Sequence, residues 1–147
     1  MNIEFYSTIV FLHVVSAILS IGPLFIIIPL INRLYKSNEN DEEIFLSIIK
    51  VIVRLVMHAG HALVVTGTLL ILLGPWPWYT SWVIMTLVVM GLSGVFLATG
   101  FTRVIRNFGA VHIEKHAVLN NLKRTTWIYI GLMIIMLWLM VQKPIFW

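Results

Sequence analysis

The stretch FLHVVSAILSIGPLFIIIPLINRLYK, residues Phe11–Lys36, decides the fold class of this chain. It is long enough to supply the roughly 20 apolar residues with which a helix crosses the hydrocarbon core of a bilayer. One ionisable side chain, that of His13, interrupts the apolar run near its beginning. Such a residue is costly within a membrane and usually faces the protein interior or a water-filled cavity. The stretch therefore predicts a membrane-spanning helix and marks His13 as a candidate functional residue.

The whole chain has the composition of an integral membrane protein. Of its 147 residues, 60% are hydrophobic and 11% are charged, and its mean hydropathy is +0.97. A soluble domain carries about 25% charged residues. Four segments have the length and apolarity of spans, at about residues 5–31, 44–73, 81–101 and 126–141. Little sequence remains outside them, so we predict a single domain over residues 1–147, an all-α four-helix bundle within the membrane.

The sequence lacks cysteines and lacks carboxylates within the predicted spans, and each absence limits the functions this bundle can have. The sequence contains no cysteine, which excludes thiolate metal ligands, iron–sulfur clusters and disulfides. No carboxylate falls within a predicted span, because Glu4 lies at the edge of the first helix and the other acids lie in the connections. A proton-coupled transporter normally carries an acid or a histidine relay in the membrane. The second absence therefore weakens a transport function.

The distribution of basic residues predicts the orientation. The connection between helices 2 and 3 carries no lysine or arginine, and the C-terminal tail carries Lys143 alone. The remaining basic residues lie on the opposite side of the membrane, namely Arg33, Lys36, Lys50, Arg54, Arg103, Arg106, Lys115, Lys123 and Arg124. By the positive-inside rule that side is cytoplasmic. We therefore predict that both chain termini face outward.

His13 belongs to a group of three histidines within the predicted spans, all on the first two helices. On its own helix face it is followed by the small side chains of Ser16, Ala17 and Ser20. This pattern leaves room beside the imidazole for a flat group.

The second helix carries His58 and His61 on one face, with Arg54 one turn before His58. Two imidazoles on facing helices, enclosed by apolar walls, are a common way for a bundle to hold haem b. Arg54 lies about 10 Å along the helix from His61 and suits a haem propionate. The depths below the outer surface are about 12 Å for His13, 18 Å for His61 and 22 Å for His58. We therefore predict His13 and His61 as the iron ligands, with His58 and Arg54 toward the propionates.

Other interpretations of the histidines stay open. They can form structural hydrogen bonds within the bundle, or His58 and His61 can bind copper or another metal ion. The spacing of His112 and His116 would also allow a shared metal on a helix, but a basic loop favours a solvated surface. The methionines of the last helix lie at helical spacing and are typical of core packing, at Met133, Met136 and Met140.

Motifs in the first two helices resemble those of small bacterial membrane proteins related to the copper-resistance D-type domain and the J-type protoporphyrinogen oxidases. The matching residues are Leu12-His13, Gly22, Pro29 and Arg33-Leu34 in the first helix, and Arg54 and Thr66–Leu70 in the second. The resemblance is greatest to an uncharacterised group of four-helix proteins of this type and covers nearly the whole chain. It implies a multi-pass protein of the bacterial cytoplasmic (inner) membrane.

The resemblance also bears on the cofactor. In the J-type oxidases the first-helix histidine is associated with haem, which implies the same role for His13. Two positions depart from the oxidase pattern: Ser20 replaces a tryptophan, and Gly60-His61 is additional. These departures argue against the oxidase activity more than against the fold.

Together these features predict a small b-type haem membrane protein that transfers electrons, with quinone or a partner subunit as the other reactant. The alternatives are a J-type protoporphyrinogen oxidase, a copper or other metal transporter, and an accessory subunit without a cofactor, so the sequence does not decide whether the protein is an enzyme. The surroundings we expect are the lipid bilayer, with homo-oligomers as a further possibility and no nucleic-acid partner.

The predicted orientation can be tested with reporters fused after the last residue of the chain. Because the basic residues place the C-terminus outside, a reporter enzyme that works only outside the cytoplasm should be active there. Activity of a cytoplasm-only reporter at the same position would contradict this orientation.

Overall fold

The computed structural model describes residues 3–75, 77–96, 99 and 115–145. These residues form four α-helices, α1 Ile3–Leu34, α2 Glu39–Leu73, α3 Ser81–Phe96 and α4 Lys115–Gln142, and the described part of the chain contains no β-strand. This arrangement confirms the predicted all-α fold and is consistent with an integral membrane helical bundle.

The helices differ in their capacity to cross a bilayer. By length and composition, α1, α2 and α4 can each span the membrane. The α3 helix is apolar but has 16 described residues, fewer than the roughly 20 that a span requires. The predicted third span continued to residue 101, and of its last five residues only residue 99 is described.

The α2 and α4 helices begin at least five residues before their predicted spans, because they extend past the apolar segment. The α2 helix begins at Glu39, directly after Asn38 at its N-cap position, and acidic residues in a first turn are favoured by the helix dipole. The α4 helix begins at Lys115. Its first turns bury Val118, Leu119 and Leu122 in the core cluster, so packing holds them helical even where the sequence is polar.

The core is formed by α1, α2 and α4, with α2 contributing Ile49, Val56 and Leu63. One side of α1 is completely buried, at Leu24, Ile27, Ile31 and Leu34. The α4 residues packed into the same cluster include Leu119, Leu122, Ile130, Met133 and Met136. The burial of these two methionines confirms their predicted role in core packing. The third methionine of that row, Met140, is partly buried against the same cluster and also lines a cavity described below.

The four helices form two closely packed pairs. The contact of α1 with α2 is the most extensive, and α3 packs chiefly on α4. The two pairs are joined mainly by the contact of α1 with α4. The contact between α2 and α3 is small. One side of α2 therefore packs on α1, whereas its opposite side is left uncovered by the described helices.

The pairing of α1 with α2 depends on a glycine. The His13 ring lies against Gly67, so that a Cβ atom at Gly67 would stand 3.1 Å from His13 Cε1. That separation is too short for an ordinary carbon contact, and glycine is the residue that permits such close approach between membrane helices.

We expect Gly67→Leu to destabilise the bundle, because the new side chain must displace the imidazole and separate α1 from α2. Overpacking of this kind typically costs about 1–3 kcal/mol. The measurement is the thermal unfolding midpoint in detergent by circular dichroism. The matched control is Gly91→Leu on α3, since Gly91 is exposed and a Cβ atom added there would have no neighbouring atom within 4 Å. Equal midpoints for the two variants would contradict this account of the helix contact.

Candidate functional site

A cavity of about 250 Å³ lies at the end of the bundle where α1 begins and α4 ends. Residues from all four helices line it, and its walls are mainly apolar. The polar side chains on its lining are few, Tyr6, His13, Thr86 and Lys143. An apolar cavity with a few converging polar groups is the usual form of a small-molecule site.

His13 is held in a defined orientation on the cavity wall. Its Nδ1 lies 3.0 Å from the hydroxyl oxygen of Thr66 on α2. The Thr66 hydroxyl itself donates to the carbonyl oxygen of Ala62 at 2.7 Å. Because the proton of that hydroxyl is used there, its oxygen accepts from Nδ1–H of His13, and the hydrogen-bond network assigns the lone pair to Nε2. Nε2 is then the nitrogen that can accept a hydrogen bond or bind a metal.

Thr86 presents an unsatisfied hydroxyl on α3. The residue is 6% exposed and lines the same cavity as His13. Its Oγ1 has no hydrogen-bond partner among the residues that the structure describes. Most threonines within helices donate to a carbonyl one turn earlier, and a buried hydroxyl without any partner is costly. The oxygen of Thr86 is therefore a candidate donor to a molecule bound in the cavity.

A cation and two thioethers complete the lining. Lys143 follows α4, and its Nζ lies 5.7 Å from the centroid of the Trp82 ring, which is a cation–π contact. Met90 and Met140 lie on the wall. The site thus combines one imidazole, the hydroxyls of Tyr6 and Thr86, two sulfur atoms and one positive charge with a mainly apolar interior.

The other predicted site residues lie away from this cavity. Arg54, His58 and His61 are exposed on α2, and the rings of the two histidines are neighbours, with centroids 6.4 Å apart. Thr66, which contacts His13, follows His61 by five residues, a rotation of about 140° around a helix. Within one chain the structure does not bring His13 and His61 together. The predicted pairing relied on depth along the helices and left out the direction of each side chain.

Of the two histidines predicted in the second cytoplasmic loop, only His116 lies among the described residues. His112 lies outside the described residues. His116 is exposed, and its ring packs against that of Tyr35 with centroids 5.3 Å apart. The Tyr35 hydroxyl donates to Asn120 at 2.7 Å, so His116 lies beside the contact that joins the end of α1 to α4. In the described part of the chain no three histidines or acids are grouped to hold a metal ion.

The sequence prediction missed most residues of this site, among them Thr66, Gly67 and Thr86. Thr66 and Gly67 belong to the motif that carries the family resemblance, but no role in the site was predicted for them. Thr86 gives no signal in the sequence, because a threonine in an apolar helix ordinarily bonds its own backbone.

Comparison with known proteins identifies the family. Residues 7–144 match the family model described as "Predicted integral membrane protein (DUF2269)". No curated protein and no solved structure matches the chain. The match confirms the predicted membership of an uncharacterised membrane family, while the relationship to copper-resistance D-type domains and J-type oxidases stays a prediction. Because the matched segment covers nearly the whole chain, the protein belongs to the DUF2269 family of predicted integral membrane proteins.

Proposed function

We propose that the protein is a small b-type haem protein of the bacterial cytoplasmic membrane that exchanges electrons with quinone, and that the quinone ring binds in the cavity beside His13. The observation that carries the proposal is the presence, in one apolar cavity, of an oriented imidazole and a buried hydroxyl without a partner among the described residues.

The cavity suits a quinone in both polarity and size. A quinone is a flat apolar ring with two oxygen atoms, and Thr86 can donate a hydrogen bond to one of them. His13 Nε2 can accept a hydrogen bond from the hydroxyl of the reduced form, the quinol. The volume of about 250 Å³ is slightly below the roughly 300–1,000 Å³ of sites that enclose drug-sized ligands. It therefore suits a ring, with the isoprenoid tail left in the lipid.

A group of the chain, the His13 imidazole, can take one of the protons of the reaction. Oxidation of one quinol to quinone releases two protons and two electrons. His13 takes one proton at Nε2 while its Nδ1–H remains bonded to Thr66, and the other proton passes to water at the cavity mouth. Haem b, when bound, would supply the one-electron chemistry that accepts the two electrons of the quinol.

The cavity is a poorer site for the haem itself. It contains one histidine, and its volume is small for a macrocycle with two axial ligands. The exposed histidines of α2 remain the other set of imidazoles available for haem.

Copper binding is a second candidate function of the cavity, supported by the two methionines that line it with His13. Thioether and imidazole ligands suit monovalent copper. Metal analysis of the purified protein separates this candidate from the first, since copper at one equivalent per chain with no haem would favour it.

The proposed quinone site predicts a specific kinetic defect. In purified protein containing haem, Thr86→Val and His13→Ala should each slow haem reduction by a short-chain quinol, followed in the visible spectrum. The loss of one hydrogen bond should lower this rate by roughly threefold to tenfold. Haem content should be unchanged in both variants, because neither residue is assigned to the haem.

Ser93→Ala is the matched control for these variants. Ser93 is a buried hydroxyl on the same helix as Thr86, and it already donates to the Met90 carbonyl. This variant should reduce its haem at the wild-type rate. Wild-type rates in both Thr86→Val and His13→Ala would refute the quinone site, and a colourless wild-type protein would refute the haem assignment.

A further inference from the structure

The uncovered side of α2 carries ionisable residues that the bundle does not use. Arg54, His58 and His61 are exposed together on this side, among exposed apolar residues such as Val51 and Val65. Ionisable side chains within a membrane almost always face protein or a water-filled cavity. No other described helix covers them, since α2 packs on α1 from the opposite side and contacts α3 only slightly.

The positions of these residues along α2 have a clear order. A span of about 20 residues that ends at Leu73 begins near Arg54, at the predicted cytoplasmic surface. His58 and His61 then lie about 6 Å and 10 Å deeper in the hydrocarbon. This surface therefore has a positive group at the membrane boundary and imidazoles below it.

We infer that this surface is a haem b site shared by two copies of the chain, in which each copy supplies His61 as an axial ligand and Arg54 as a partner of a propionate. The inference rests on the proposed function, because it assigns the haem of that proposal to particular residues. His58, whose ring neighbours that of His61, is a positioning residue beside the ligand.

A single copy does not complete such a site. His58 and His61 project from the same side of one helix, so a macrocycle lying between their nitrogens would meet the backbone turn that joins them. In the described part of the chain no third histidine or acid joins this pair. The second axial ligand must therefore come from another molecule.

A second copy of the chain meets the geometric requirement for a haem. Two copies inserted in the same orientation and related by a twofold axis present the same surface to each other. Their His61 side chains then lie at equal depth by symmetry. Within one chain, by contrast, the predicted depths of His13 and His61 differ by about 6 Å.

The positive charges of the two Arg54 side chains favour haem over a bare metal ion or a contact without a cofactor. The twofold arrangement brings two Arg54 side chains toward each other, and two positive charges near the membrane boundary repel. Haem b carries two propionates, and arginine pairs with such carboxylates through two parallel hydrogen bonds. A divalent cation would instead add to the positive charge of this surface.

The first test measures stoichiometry and ligation in purified protein. The expected result is one haem for every two chains, with a low-spin bis-histidine signal in electron paramagnetic resonance. His61→Ala should lose the haem, whereas His58→Ala should retain it with a shifted spectrum. His116→Ala is the control on an exposed histidine elsewhere, and it should leave both haem content and spectrum unchanged. Retention of haem in His61→Ala would overturn the assignment.

The second test detects the contact between copies without depending on haem. Because the chain has no cysteine, single cysteines introduced by Val65→Cys and Val95→Cys can be oxidised in native membranes. Val65 lies one turn from His61 on the same side of α2, while Val95 is an exposed residue of α3. We expect a disulfide-linked dimer for the first variant and a monomer for the second. A monomer for both would overturn the shared site.

The outcomes separate this inference from the proposed function. Haem at one equivalent per chain, with no dimer from Val65→Cys, would refute the shared site and leave a haem protein. A colourless wild-type protein that still forms the dimer would refute the haem assignment in both proposals. In that case the quinone cavity can still be tested by binding of a quinone analogue to wild-type and Thr86→Val protein.

Discussion

The structure depends on one constraint, which is that hydrocarbon offers no hydrogen-bond partner to a polar group. Several polar side chains of the helices find a hydrogen-bond partner on their own helix. Ser16, Thr68 and Thr126 each donate to a carbonyl oxygen one turn earlier on their own helix. His13 finds its partner across the interface between α1 and α2, in Thr66. Thr86 and the exposed histidines of α2 have no such partner within the described part of the chain, and the proposals rest on them.

The all-α fold could be predicted because apolar segments of this length have few alternatives to a membrane helix. Helix ends could not be predicted as well, since hydropathy marks the limits of the bilayer and not those of the helix. The start of α4 illustrates this difference. Its first turns lie in polar sequence, yet Leu119 and Leu122 are completely buried against the rest of the bundle, and their contribution depends on tertiary contacts that no local pattern reveals.

The candidate site could be predicted only in part, for a reason specific to membranes. His13 stands out as an ionisable residue in an apolar run. Its partners do not, because the lipid-facing side of a membrane helix is as apolar as the side that faces the protein. On α2, Leu63 is 2% exposed and Val65 is 59% exposed, although both are ordinary apolar residues. Periodicity in the sequence therefore could not indicate which side of α2 meets α1.

The division of the bundle into two helix pairs has a consequence for biogenesis. The α1 and α2 helices emerge from the ribosome before α3 and α4, and their mutual contact is the most extensive among the described helices. They can therefore associate in the bilayer as a hairpin before α3 and α4 are synthesised. The bond between His13 and Thr66 is available at that stage, so the histidine that would resist entry into lipid acquires its partner as soon as α2 leaves the translocon. The later helices then pack around a polar group that is already hydrogen-bonded to its neighbour.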